Sequence, residues 1–377
     1  MSTNQHIMNQ HSKSIFKGQI IYSSYNKYVV GRQLGKGGFG SVYRVTDLDT
    51  NVNYALKVAL PRGAEQLDTE VACLTHCGRQ YPEFLAPRDI FLLNGGRKAF
   101  VMELKGRSLE SHTRQLGGQI QVPDACLVAF KVLGHLEHLH SYGWIHRDIK
   151  PDNIVLGSAP EDKGLYLVDM GLATRYLDSH GLHHLPYSQG AGVVNAGTRL
   201  FMSTRCHDGV TMSRRDDLES LAYMLVYLMK GRLPWSDQDD LSLSVTALHK
   251  KVMSAEEICV GLPQVFEDLL NYARNLSYDE APDYRSYIST FKRLHLVMLR
   301  HFFVTSKNTK ALNQVQELNN LPVEYILDAS QGIDTYHKES KMTQGTQIWR
   351  RERSNATSLW LIPRNTRTRR KGLLEGA

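Results

Sequence analysis

Residues His146-Arg147-Asp148-Ile149-Lys150-Pro151-Asp152-Asn153 set a carboxylate, an ammonium and a carboxamide at offsets of zero, two and five from Asp148. Such a set can accept a hydroxyl proton, neutralise a phosphate and offer an oxygen to a hard cation. These are the parts of a phosphoryl-transfer centre. Its loose, highly charged transition state needs positioning and charge neutralisation more than covalent help. The rest of the chain must then supply a phosphate cradle, a second cation and a second metal-ligand position.

Those parts follow the chain in order between Gly35 and Asp169. The cradle is Gly35-Lys36-Gly37-Gly38-Phe39-Gly40, where missing Cβ atoms let backbone N–H groups approach phosphate oxygens. Tyr28-Val29-Val30 before it and Val42-Tyr43-Arg44-Val45 after it read as the two strands of a hairpin. A dinucleotide-binding loop would need a long helix after the last glycine, and β-type residues stand there instead. Tyr54-Ala55-Leu56-Lys57-Val58 is an apolar strand holding one lysine; a lysine in a strand is usually a surface residue, but this one comes one hairpin after the cradle. A helical stretch then offers Glu65 and Glu70 as partners for Lys57. Glu70 is preferred, because Val71 and Leu74 mark an apolar face beside it. Ala99-Phe100-Val101-Met102-Glu103-Leu104 is a further apolar strand, and Leu165-Tyr166-Leu167-Val168 leads to Asp169. Asp169 and Asn153 offer oxygen ligands, which suit Mg2+ better than zinc.

The elements that must position these residues carry a resemblance. The loop at 146–153, the glycine-rich hairpin, the Ala55-Leu56-Lys57 strand and Asp169-Met170-Gly171 resemble the ordered motifs of eukaryotic protein kinases. Ser213-Arg214-Arg215-Asp216-Asp217-Leu218-Glu219-Ser220-Leu221, Gly231-Arg232-Leu233-Pro234-Trp235 and Pro282-Asp283-Tyr284 are similar to the casein kinase 1 family, which also lacks an Ala-Pro-Glu anchor. The vaccinia-related and tau-tubulin kinases share parts of this pattern and remain the alternative branches.

The resemblance covers roughly residues 28–300 and implies an α+β, bilobal fold. A small, mainly β N-lobe with one key helix would end near residue 104, and a large, mainly α C-lobe would follow. It implies a serine/threonine kinase that uses ATP and Mg2+ on protein substrates. Carried over by motif, Asp148 accepts the hydroxyl proton, Lys150 supports the γ-phosphate and Thr198 ties the two together. Lys57 pairs with Glu70, and Asn153 and Asp169 hold the metal. Leu34, Val42, Ala55 and Val155 enclose the adenine, Met102 is the gatekeeper, and Glu103 and Leu104 offer backbone groups. Asp217 is expected to hold the catalytic-loop backbone.

Three departures from the family stand out. Met170 replaces a phenylalanine. Leu200 stands where an arginine of an anion site is usual, with Arg199 before it. Asp237, Asp239 and Asp240 follow Trp235 in a stretch with little family likeness, so the lysine expected beyond it has no matching position and Lys250 and Lys251 are its substitutes. The inherited preference for phospho-primed substrates is therefore open.

The chain has 377 residues, 42% of them hydrophobic, enough for a sizeable core with tails. No apolar stretch reaches membrane-spanning length. Residues 1–27 are read as a polar, flexible segment without a signal-peptide core, and 301–377 as an extension with a basic tail. The net charge of +7 is concentrated there, in Arg364, Arg367, Arg369, Arg370 and Lys371 among others. Such a tail attracts anionic partners or an import receptor. A monomeric enzyme of the cytoplasm, the nucleus or both is expected. The 5 cysteines are widely spaced and read as core thiols, Cys73 and Cys77 included. His135, His138 and His140 read as packing residues rather than zinc ligands. The rival class is a pseudokinase scaffold, against which stands the presence of Lys57, Asp148, Asn153 and Asp169 together.

Overall fold

A computed structural model describes residues 15–159, 161–178, 180–190, 196–236 and 243–305. Asp237, Asp239, Asp240 and the basic tail lie outside the described residues, as do most of the N-terminal segment and of the C-terminal extension. The chain forms the expected two-lobed α+β arrangement.

The N-lobe is a six-stranded antiparallel sheet. Its strands are β1 (Ile20–Tyr22), β2 (Lys27–Lys36), β3 (Gly40–Asp47), β4 (Asn53–Ala59), β5 (Asp89–Leu92) and β6 (Lys98–Glu103). Their order across the sheet is β1-β2-β3-β4-β6-β5. The hairpin read from the sequence is β2 with β3, in register at Val30 and Val45. Alternation explains the face of the sheet turned away from Lys57: Tyr28, Val30, Val45, Leu56 and Val58 are buried together. One expectation is corrected here. Residues 20–22 were expected within a flexible segment, but they pair with β2 and bury Ile21, so the sheet begins before residue 28. A buried isoleucine and a free edge on β2 suffice to order them.

Helix α1 (Ala64–Cys77) lies under the sheet, with Leu67, Glu70, Cys73, Leu74 and Cys77 on its buried face. The C-lobe is built on α2 (Leu109–Gln115), α3 (Val122–Ser141), α4 (Thr204–His207), α5 (Arg214–Lys230), α6 (Leu243–Val252), α7 (Ala255–Cys259), α8 (Gln264–Asn275) and α9 (Tyr284–Thr305). Helix α3 buries a stripe of Ala125, Val128, Val132, Leu136 and Leu139, the spacing of one helix face. Helix α5 is buried on nearly every side, as its Leu221–Met229 run requires. It ends at Gly231, which takes the left-handed conformation with φ 73°. Helix α9 continues to Thr305, past the expected domain end at 300.

Short strands carry the chemistry between the lobes. They are β7 (Trp144–Ile145), β8 (Ile154–Leu156), β9 (Leu165–Leu167) and β10 (Thr174–Arg175). β8 pairs with β9 and β7 with β10, so the stretches holding Asp148 and Asp169 leave two small ladders side by side. All 5 cysteines are free and buried. No described helix is long and apolar enough to cross a membrane.

Candidate active site

Strand β4 delivers Lys57 to the inner side of the sheet. Its Nζ lies 2.5 Å from Glu70 Oε2 on α1 and 2.8 Å from Asp169 Oδ1. Glu65 is exposed in the first turn of α1, so the helix phase decides between the two candidates in favour of Glu70. Burial alone would draw the Lys57 ammonium down, but Glu70 and Asp169 outweigh it and hold it above its ordinary value. Burial lifts the Glu70 carboxyl to about 7, against the pull of Lys57. Burial also works against ionisation of Asp169, yet the Lys57 charge and hydrogen bond keep that carboxyl below the usual range. The Asp169 side chain is half exposed, open to the cleft.

The catalytic loop is held from below. Asp217, fully buried on α5, accepts the backbone N–H of His146 at 2.7 Å and of Arg147 at 2.8 Å. Its Oδ2 also lies 2.8 Å from Nε2 of the buried His140. Burial pushes the Asp217 carboxyl up, but the hydrogen bond with His140 and the contacts of His146 together outweigh it and bring the group below its ordinary value. Arg147 has φ 67° and Asp169 φ 64°, a region that non-glycine residues enter at a cost of roughly 1–3 kcal/mol each. Arg147 Nε donates to Leu172 O at 2.9 Å, which ties one of these left-handed residues to the turn after the other.

Asp148 is the meeting point. Lys150 Nζ donates to its Oδ2 at 2.6 Å and to Thr198 Oγ1 at 2.9 Å. Thr198 donates to Asp148 Oδ1 twice, from its backbone N–H at 2.8 Å and its hydroxyl at 2.7 Å. Gly197 makes this approach feasible. Its φ is 111°, and a Cβ there would lie 2.4 Å from Arg147 O. Asn153 Nδ2 donates to Asp148 O at 2.8 Å, which turns its Oδ1 away as the end available to a cation.

On the nucleotide side, a Cβ on Gly35, Gly37 or Gly38 would meet nothing within 4 Å, so open space rather than protein lies over the loop. Such a loop admits anionic oxygens close to its amides. Leu34 and Phe39 are exposed at its edges, and Gly40 and Val42 continue into β3. Ala55 and Met102 are buried and directly paired between β4 and β6. Glu103 and Leu104 lead out of β6. The segment after them is tied to β8 by Gly106 N–H to Leu156 O, 2.7 Å, and by a bridge between Ser108 and Val155. Val155 lies in the middle of β8, half-buried beside this segment. Met170 is fully buried in the main core, where its flexible thioether fills the position.

The peptide side rests on residues whose roles the motifs did not disclose. Ser203 Oγ donates to Asp216 Oδ1 at 2.5 Å. Thr204 N–H donates to Glu219 Oε1 at 2.9 Å, and Tyr223 OH donates to the same oxygen at 2.7 Å. These bonds anchor the segment where an Ala-Pro-Glu would be expected. Asp216 and Glu219 belong to the Ser213–Leu221 run, so their presence was visible but their partners were not.

Lys250 and Lys251, read as substitutes for a surface anion site, are corrected. Lys250 is wholly buried with its Nζ on backbone carbonyls, and Lys251 is ion-paired to Asp208. Leu200 is half-buried against the core. The three histidines of α3 pack separately. Nε2 of His135 lies 2.7 Å from Leu165 O, His138 stacks on Tyr81 at 3.7 Å, and His140 serves Asp217.

The donor set fits a nucleotide phosphate and a hard cation. A half-exposed carboxylate and a carboxamide oxygen converge beside a lysine, under a loop of open glycines. Residues 28–292 match the family model described as Protein kinase domain, well over half of the 377 residues. With the cleft built around Lys57, Asp148 and Asp169, the chain belongs to the protein kinase family, enzymes that move a phosphoryl group from ATP to protein.

Proposed function

We propose that this protein is a serine/threonine kinase of casein kinase 1 type that uses Mg2+ with ATP. The observation that carries the reading is the Asp148–Lys150–Thr198 cluster, with Lys150 two residues after the aspartate in the serine/threonine pattern. The Ser213–Leu221 run and the anchoring of Ser203 and Thr204 on Asp216 and Glu219 support the branch.

In the reaction, the acceptor hydroxyl lies against Asp148, which takes its proton as the oxygen attacks the γ-phosphorus. The new O–P bond forms as the bond to the bridging oxygen of ADP breaks. Lys150 faces the transferring group and Lys57 the phosphates behind it, with Glu70 keeping Lys57 in place. Backbone amides of Gly35, Gly37, Gly38, Phe39 and Gly40 cover the phosphates. Leu34, Val42, Ala55 and Val155 enclose the adenine, and backbone groups of Glu103 and Leu104 beside Met102 define its edge. Asp169 and Asn153 would hold Mg2+, which when bound neutralises charge on the phosphate oxygens.

The test is Mg2+-dependent transfer of labelled γ-phosphate to three peptides, with Asp148→Asn as control. One peptide carries a phosphoserine three residues before the target serine, one an acidic run there, and one neither. With Leu200 half-buried and Lys250 turned inward, transfer without preference among the three is expected. A strong preference for the primed peptide would restore the inherited substrate rule. ATP binding without transfer to any peptide would instead favour a scaffold. Under the same proposal the enzyme is monomeric and cytoplasmic, nuclear or both. Its basic C-terminal stretch would meet anionic partners or an import receptor. Removing residues after 305 should then alter localisation and leave turnover intact.

A further inference from the structure

Residues 198–202 form a turn that has no strand or helix to absorb its carbonyls. Phe201 and Met202 N–H both return to Thr198 O, at 2.8 and 3.0 Å. The carbonyls of Arg199, Leu200 and Met202 are taken up by two side chains from other elements. Lys250 Nζ on α6 donates to Arg199 O at 2.8 Å and to Met202 O at 2.7 Å. Trp235 Nε1 donates to Leu200 O at 2.9 Å. The Lys250 ammonium has no solvent exposure, and it lies 5.2 Å from the Tyr223 ring centre and 5.1 Å from that of Trp235. Nε2 of His207 is 3.2 Å away. Arg274 on α8 fixes the base of the arrangement, donating to Lys250 O at 2.8 Å and Tyr223 OH at 2.9 Å.

Burying a lysine is costly unless its donors are satisfied. Here the donors are spent on one short stretch of backbone, and the place of that stretch gives them meaning. Thr198 touches Asp148, where the acceptor hydroxyl must lie. Residues neighbouring that hydroxyl in a substrate chain follow at about 3.8 Å intervals and must pass over 199–202.

We propose that Lys250, with Trp235, is a positioning residue for the peptide substrate. The pair holds residues 199–202 in the conformation that receives the chain, and so governs KM for peptide and not KM for ATP. Methionine at 250 would keep the length and take the ammonium away from both carbonyls, of which the one on Met202 is buried. The cation between the rings would also be lost. The inference rests on peptide being the acceptor.

The experiment pairs hydrogen exchange with steady-state kinetics on the full chain, comparing wild type with Lys250→Met. The variant should lose protection at amides 198–203 by about tenfold while 146–153 keeps it, and KM for peptide should rise about tenfold with KM for ATP within about twofold. Protection and KM for peptide both staying near wild type would overturn the proposal. So would a rise of both KM values in step with exchange across 146–153, the mark of a general structural role. If Lys250→Met does not fold, Trp235→Phe removes the Leu200 donor and keeps the ring. A rise of about threefold in KM for peptide alone supports the proposal, and none overturns it. A wild-type protein that modifies no peptide would sink the acceptor reading, while exchange at 198–203 would still decide the role of Lys250.

Discussion

On the nucleotide side of the cleft, Lys57, Glu70 and Asp169 meet within 2.8 Å, each brought by a short stretch of sequence on β4, on α1 or after β9. On the peptide side, the turn after Thr198 is held by Lys250 and Trp235, which lie 35–51 residues away from the carbonyls they bind. The first side is a constellation of charges facing a ligand. The second is a backbone segment hung on buried donors. Ligand chemistry constrains residue type at fixed positions, whereas a buried donor need only arrive with its polar end in the right place. The two sides join at Asp148, which receives Lys150 from its own loop and Thr198 from the peptide turn.

The sharpest break in this contrast is expected at the junction. Asp148→Asn removes the carboxylate common to both sides, proposed above as the proton acceptor, and kcat should fall by about 10²–10³, with ATP binding retained in a calorimetric titration. Loss of ATP affinity together with kcat would show that Asp148 also supports the nucleotide side.

Next in size is Lys57→Met, confined to the nucleotide side. A fall of about a hundredfold in kcat/KM for ATP is expected, with hydrogen exchange at 198–203 unaltered. Glu70 would then be buried without its cation and, already lifted to about 7, would take up a proton rather than unfold the lobe. A variant that fails to fold would refute that account.

Asp217→Asn tests the floor beneath both sides. An amide cannot accept from His146, Arg147 and His140 as the carboxylate does, so one buried donor is left over. Unfolding in urea should show a loss of about 2–4 kcal/mol. A change under about half a kcal/mol would mean that the loop carries itself.

The most gradual effect is a pH dependence with a member on each side. Burial lowers His135, behind β9, and His207, beside Lys250, to about 4 from an ordinary 6.5. Between those values the unfolded chain binds protons that the folded chain refuses, so stability is present above about 6.5 and is lost as pH falls toward 4. The loss should be roughly 3 kcal/mol from His135 and less from the partly solvated His207. Melting temperatures across this window should decline less steeply in His135→Asn; an identical slope would remove His135 as a source.

The parts nearest to chemistry were legible because their spacing is local. The glycine hairpin appeared as β2 and β3, and Ala55-Leu56-Lys57 as β4. The apolar run after Asp217 became the buried helix α5. Glu70 was separable from Glu65 by helix phase alone. Ile20–Tyr22 was missed because three residues carry too little alternation to read as a strand, and only the edge of β2 orders them.

The sequence by itself determined which groups the cleft carries: the Asp148 carboxylate, the ammonium groups of Lys57 and Lys150, and the side-chain oxygens of Asn153 and Asp169, in types and spacings that few other reactions would use. Only the tertiary structure decided what holds the peptide side. Lys250 and Lys251 are adjacent and chemically alike, yet one is enclosed by Tyr223 and Trp235 while the other meets Asp208 at the surface. A lysine's solvation depends on what packs around it, and here those partners come from α5 and from Trp235. No local pattern records that enclosure, so the distinction between a surface cation and a buried clasp exists only once the chain has folded.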